Sequence, residues 1–152
     1  MIPGSTYRHT QTGPIYLLLV AVGAAMAVGA WFARAEPIAF WALSISALLV
    51  WGASLSFQRM AVEDEGDRLA VRYGPLPLFG KRIPYARIEA VEADRTSLLD
   101  GWGIHYVPGR GWTYNIWGFD CVKLTLDGTT VRIGTDDIES LVAFLQSKIA
   151  HR

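Results

Sequence analysis

The side chains in this 152-residue chain with the chemistry for catalysis or metal binding are few: three histidines, one cysteine and a scatter of aspartates. His9, His105 and His151 lie far apart, and no two share the close spacing of zinc-ligand pairs. The single Cys121 excludes an internal disulfide and fits a reducing compartment. Cys121 with His105 is the one nucleophile–base pair available, if the fold brings the two within hydrogen-bond reach. Asp94, Asp100 and Asp120 stand beside Gly-rich turns, where solvated turn residues explain them better than acid–base work. Gly101-Trp102-Gly103 and Gly109-Arg110-Gly111 lack the strand-to-helix context that phosphate loops need. The expectation is a protein that is not an enzyme, with no catalytic residue, no cofactor and no metal.

Aromatic residues offer a different chemistry. Trp102, Tyr106, Trp112, Tyr114, Trp117 and Phe119 crowd one hairpin region. Strand alternation places Trp112, Tyr114 and Ile116 on one face and Thr113, Asn115 and Trp117 on the other. Both faces carry a ring, and a barrel buries only one. Either the rings fill core and rim, or one set stays exposed beside residues 108–111 and docks a partner protein or the membrane interface. The candidate surface is Arg110, Trp112 and Trp117, because Gly109 and Gly111 leave that turn free to adapt. Lys81-Arg82 is a second candidate contact, for anionic lipid, although a solvated turn explains the pair as well.

What positions these residues is set by two apolar runs, 15–33 and 38–57, neither holding a charged side chain. Each has the roughly 20 residues needed to cross a hydrocarbon core of about 30 Å. Joined by Arg34-Ala35-Glu36-Pro37, they read as a transmembrane helical hairpin. Two alternatives are a pair of buried core helices and a signal peptide cleaved near residues 30–35. Trp31 and Trp41 mark one interface, and Pro37 suits the first position of the second helix. Gly23, Ala27 and Ala30, facing Ala42, Ser46, Ala53 and Ser54, allow close approach of the helices or of a second copy of the chain. The turn holds only Arg34, whereas Arg59, Arg68, Arg72, Lys81, Arg82 and Arg87 follow the second run. The positive-inside rule then places both termini in the cytoplasm, in a multi-pass protein of the inner membrane. The 14 basic and 14 acidic residues balance. Glu63, Asp64, Glu65 and Asp67 are interleaved with the cations, which argues against nucleic acid as a partner. With no ionisable group inside either run, ion transport is not expected.

The organisation expected is a disordered tail over 1–14, the hairpin over 15–57 and one small domain over 58–152. Within the domain, strands are expected at 60–62 and 69–73 about an acidic turn, then a loop over 74–80. One strand broken near Pro84 follows, then a hairpin of 102–107 with 112–117. A second hairpin pairs 120–126 with 129–134 about Asp127-Gly128. Val122, Leu124, Leu126, Val131 and Ile133 should face the core, and Lys123, Thr125, Thr130 and Arg132 the water. Thr135 or Asp136 should cap a terminal amphipathic helix, whose Ile138, Leu141, Val142, Leu145 and Ile149 form one buried stripe.

This order of elements resembles the small bacterial two-span membrane proteins that carry a bacterial PH-like domain. The resemblance rests on Leu69-Ala70-Val71-Arg72-Tyr73-Gly74, Arg82-Ile83-Pro84, Ile88 and Val91. It rests further on Gly101-Trp102-Gly103-Ile104, Gly118 and Arg132-Ile133-Gly134-Thr135-Asp136, and it covers about residues 38–150. It implies an α+β membrane protein with a PH-like antiparallel β-barrel and a C-terminal α-helix on the cytoplasmic face. The basic inositol-phosphate pocket of eukaryotic PH domains has no counterpart in this sequence. Three functions follow as expectations: a membrane-anchored interaction or scaffold module with a protein partner, an assembly or stress factor that oligomerises through its spans, and, last, an enzyme. An oligonucleotide-binding-type barrel on a membrane hairpin would lack the long terminal helix.

Overall fold

The structure is a computed structural model that describes residues 6–97 and 101–150. Asp100, His151 and Arg152 lie outside the described residues.

The two apolar runs form helices α1 (Ile15–Phe32) and α2 (Pro37–Ser56), with Pro37 opening α2. Both are long and apolar enough to cross a membrane, and only 11% of each apolar window is buried within the protein. That exposure sets them apart from the core helices of a soluble domain. They pack closely at Gly23, where an added Cβ would stand 2.4 Å from the Trp51 ring nitrogen. The Trp51 indole N–H donates to the Val20 carbonyl at 3.2 Å. Of the small residues expected between the helices, Gly23, Ala30 and Ser54 are buried, whereas Ala42 faces outward. Arg34 donates to the Trp31 carbonyl and lies over the Trp31 ring, closing the turn.

Of the tail expected over 1–14, residues 1–5 lie outside the described residues and residues 6–14 are not a free tail. Residues Arg8–Thr12 form strand β1, which pairs antiparallel with β2 (Arg59–Asp64) from Arg8 opposite Glu63 to Thr12 opposite Arg59. The helical hairpin is therefore an insertion between two neighbouring strands of one sheet. A cut near residues 30–35 would remove β1 along with α1, which speaks against a cleaved signal peptide. Strands β3 (Arg68–Gly74) and β4 (Gly80–Pro84) complete a four-stranded meander, β1-β2-β3-β4.

The single broken strand expected around Pro84 is two strands in two sheets. A 3₁₀ turn, Tyr85–Arg87, carries the chain from β4 to β5 (Ile88–Arg95). Proline at 84 cannot donate to a ladder, and the turn after it redirects the backbone. The second sheet has the order β5-β8-β9-β7-β6, with β6 (Gly103–Val107), β7 (Gly111–Asn115), β8 (Asp120–Leu126) and β9 (Thr129–Gly134). The β8–β9 turn is Asp127-Gly128 with φ of 29° and 80°, the positive values that a two-residue turn requires. One pairing, β7 with β9, is parallel. Among the described residues the strands thus make two sheets and no closed barrel, which corrects the antiparallel barrel expected from the sequence.

The two sheets and α3 (Ile138–Ala150) share one core. Val122, Leu124, Leu126, Val131 and Ile133 are all buried in it, as alternation requires. Leu141, Phe144 and Leu145 bring α3 onto it. Of the two expected caps, the Thr135 hydroxyl accepts the Asp137 N–H at 3.0 Å. Asp136 meets His9 of β1 instead, at 2.5 Å, and the Tyr7 hydroxyl donates to Asp137. These contacts tie β1 to the start of α3.

Candidate interaction surface

The β6–β7 hairpin occupies one edge of the five-stranded sheet. Its register sets Tyr106 opposite Trp112 and His105 opposite Thr113. Tyr106 and Trp112 are 56% and 42% exposed, and their rings lie 5.6 Å apart. Tyr114, two residues on, is buried with Ile116, so one face of the strand runs from surface into core. The other face is also covered: Thr113 and Asn115 are fully buried. Asn115 donates to the Gly118 carbonyl at 2.9 Å and accepts the Trp117 N–H at 3.1 Å, which shapes the bend after β7.

The structure divides the three candidate residues. Arg110 and Trp112 sit at the start of β7, whereas Trp117 lies beyond its end and stacks on Trp102 at 4.5 Å. Trp117 is 41% exposed and faces the beginning of α1: its carbonyl accepts from Gln11, and it borders a cleft shared with Gly13, Pro14, Tyr16 and Leu17. The aromatic region therefore presents two separate patches.

Arg132, expected in water, is buried. Its Nε donates to Asp94 Oδ2 at 2.8 Å, and a second guanidinium nitrogen donates to the Arg110 carbonyl. Alternation does put Arg132 on the outer face of the sheet, but the 108–110 turn folds over that face. Burial alone would raise the Asp94 pKa; the Arg132 guanidinium and the Arg95 N–H outweigh it and hold the carboxyl below its ordinary value. Arg132 and Asp94 thus seat the turn that carries Arg110. Only the long side chain of Arg132, able to bridge strands, hinted at this in the sequence.

A second partly buried ion pair locks α3. Asp64, with a side chain only 3% exposed, meets Lys148 at 2.9 Å and accepts from the Tyr85 hydroxyl at 2.8 Å. Burial opposes its ionisation, but Lys148, Tyr85 and the Gly66 N–H hold its pKa below the ordinary 3.8.

The Cys121–His105 pair does not form. Cys121 is buried on β8, and β6, which carries His105, stands three places away in the sheet order. At about 4.8 Å per strand this is roughly 14 Å, beyond hydrogen-bond reach. Asp94 and Asp120 are engaged by Arg132 and Arg95. Lys81 and Arg82 border an open cleft with Pro77, Leu78 and Phe79, and Arg82 pairs with Glu65. Among the described residues no group of three His, Cys, Asp or Glu side chains is placed to hold a metal ion. No protein-family model matches the chain, and no curated protein matches it.

Proposed function

We propose that this chain is a membrane-anchored, non-enzymatic module of the bacterial PH-like kind that holds a partner protein at the cytoplasmic face of the inner membrane. The observation that carries this reading is the exposed Tyr106–Trp112 pair on the edge hairpin. An edge strand offers unpaired backbone groups, and exposed aromatic rings add contact area at low entropy cost. The helices hold this edge at a membrane, and the six cations soon after α2 favour the cytoplasmic side.

Photocrosslinking from Tyr106 in intact cells tests it. A discrete crosslinked protein is expected, and it should vanish with Trp112→Ala while the melting temperature stays within a few degrees of the parent. Loss of the crosslink only in variants that also unfold would overturn the reading. A second reading, oligomerisation through the spans, draws on an apolar groove of about 270 Å³ between α1 and α2, bordered by Ala27, Ser44, Ala47 and Trp51. A crosslinked band at twice the chain's mass, obtained from Leu48→Cys, would favour it.

A further inference from the structure

The loop over residues 75–79 is short, polar only in its backbone, and carries Leu76, Leu78 and Phe79, which are 38%, 57% and 41% exposed. It is fastened to the end of α2. The hydroxyl of Ser56, the last residue of that helix, donates to the Leu76 carbonyl at 2.7 Å. The Phe57 ring lies 5.4 Å from Phe79, and the Phe79 carbonyl accepts the Tyr73 N–H at 3.1 Å.

That attachment fixes depth. The 20 residues of α2 extend about 30 Å, one hydrocarbon thickness. Once α2 spans, Ser56 stands at the boundary, and a loop hydrogen-bonded to it stands at the same level. Trp117 occupies the matching position beside the first turn of α1. Charge around this end is suitable for a lipid surface. Arg8, Arg72 and Arg82 are matched by Glu63 and Glu65. Arg59 and Lys81 are exposed and pair with no carboxylate among the described residues.

We propose that residues 76–79 and Trp117 are seated in the interfacial layer of the same bilayer the helices cross, with Arg59 and Lys81 against anionic headgroups. The sheet domain then lies down on the membrane and is not suspended from it. Leucine and phenylalanine at this level lose water contact, and tryptophan favours the headgroup zone. Arginine and lysine beside them gain from the negative surface potential. This inference rests on the membrane reading above.

Depth measurement on the full chain separates the two. An environment-sensitive NBD label would be placed at Leu78→Cys or, as reference, at Leu48→Cys on the exposed flank of α2, each with Cys121→Ala. The protein would be reconstituted in vesicles of phosphatidylcholine and phosphatidylglycerol containing lipids spin-labelled at a shallow or a deep acyl position. The Leu48 label should be quenched most by the deep spin label. The Leu78 label should emit at a blue-shifted wavelength and be quenched at least twofold more by the shallow label than by the deep one. Vesicles of phosphatidylcholine alone, or Arg59→Glu with Lys81→Glu, should at least halve the Leu78 quenching. An unquenched Leu48 label would overturn the membrane reading itself. Quenching at Leu48 with water-like emission at Leu78 would leave the anchor intact and overturn the docked loop. Blue-shifted but unquenched emission at Leu78 would also overturn it, since protein and not lipid would then cover the loop. Quenching indifferent to both charge tests would overturn the part assigned to Arg59 and Lys81.

Discussion

Thr12 and Arg59 face each other on the last rung of the β1–β2 ladder, although the entire helical hairpin lies between them in sequence. Two residues paired in an antiparallel ladder can be joined by a two-residue turn. Replacing residues 13–58 by Asn-Gly should therefore give a water-soluble domain that unfolds cooperatively. Some stability is lost with Phe57, whose ring packs on Tyr73 at 5.2 Å. A further Tyr7→Ala change in that soluble form should cost about 3–5 kcal/mol, because the ring is buried against Phe144. Thermal melting followed by circular dichroism checks both. A soluble form indifferent to Tyr7 would show that β1 does not belong to the domain.

Acid should weaken the domain through Asp64 and Asp94. Both carboxyls have pKa values below that of the unfolded chain, so their contribution is complete above about pH 4. It fades as the pH falls through the folded values. Denaturant midpoints measured from pH 6 to pH 2 should drop for the parent and drop less steeply for Asp64→Asn. At pH 6 that variant should already be weaker by about 1–3 kcal/mol, since Lys148 and the Tyr85 hydroxyl lose an ionised acceptor. Identical slopes for parent and variant would refute the assignment to Asp64.

The helix α3 should be indispensable. Leu141 and Leu145 are fully buried in the shared core, and each change to Ala should cost about 2–5 kcal/mol. Set against a typical total of about 5–15 kcal/mol, the double variant should be largely unfolded. Near-parental melting of Leu141→Ala with Leu145→Ala would mean that α3 is not packed as described.

The proposed topology rests on charge. With Cys121→Ala as background, a cysteine at Ala35 should react with an impermeant thiol reagent on intact cells. One at the exposed Ser140 should react only after lysis. The expectation rests on one cation in the α1–α2 turn against six soon after α2. The reverse labelling pattern would invert the proposed orientation.

Legibility in the sequence tracked how many side chains spoke for each element. The helices stood out because about 20 residues in a row lack charge, and the β8–β9 hairpin because Asp127-Gly128 leaves few other turns. Strand β1, Arg-His-Thr-Gln-Thr, was illegible: its one buried side chain is Gln11, so no apolar alternation marks it. Its pairing comes from backbone and from His9 and Tyr7 reaching α3. The change of sheet at Pro84 reads in the sequence as one broken strand, because local sequence shows that a ladder stops but not which strand comes next. The parallel β7–β9 pairing and the burial of Arg132 are likewise long-range facts. Of the candidate surface, the exposure of Trp112 and Trp117 was one of two open readings. Their separation onto two patches depended on Asn115 bending the chain after β7.

The insertion of the hairpin between β1 and β2 also orders events during synthesis. The ribosome delivers β1 first, then both helices, and only then the strand that β1 pairs with. If the helices cross a bilayer as proposed, β1 waits on the side where β2 emerges, and the four-stranded sheet closes only once α2 has crossed back. A chain whose second helix fails to insert leaves β1 and β2 on opposite sides of the membrane, with Tyr7 missing from the core. On that proposal, completion of the domain is a built-in record that the anchor was threaded correctly.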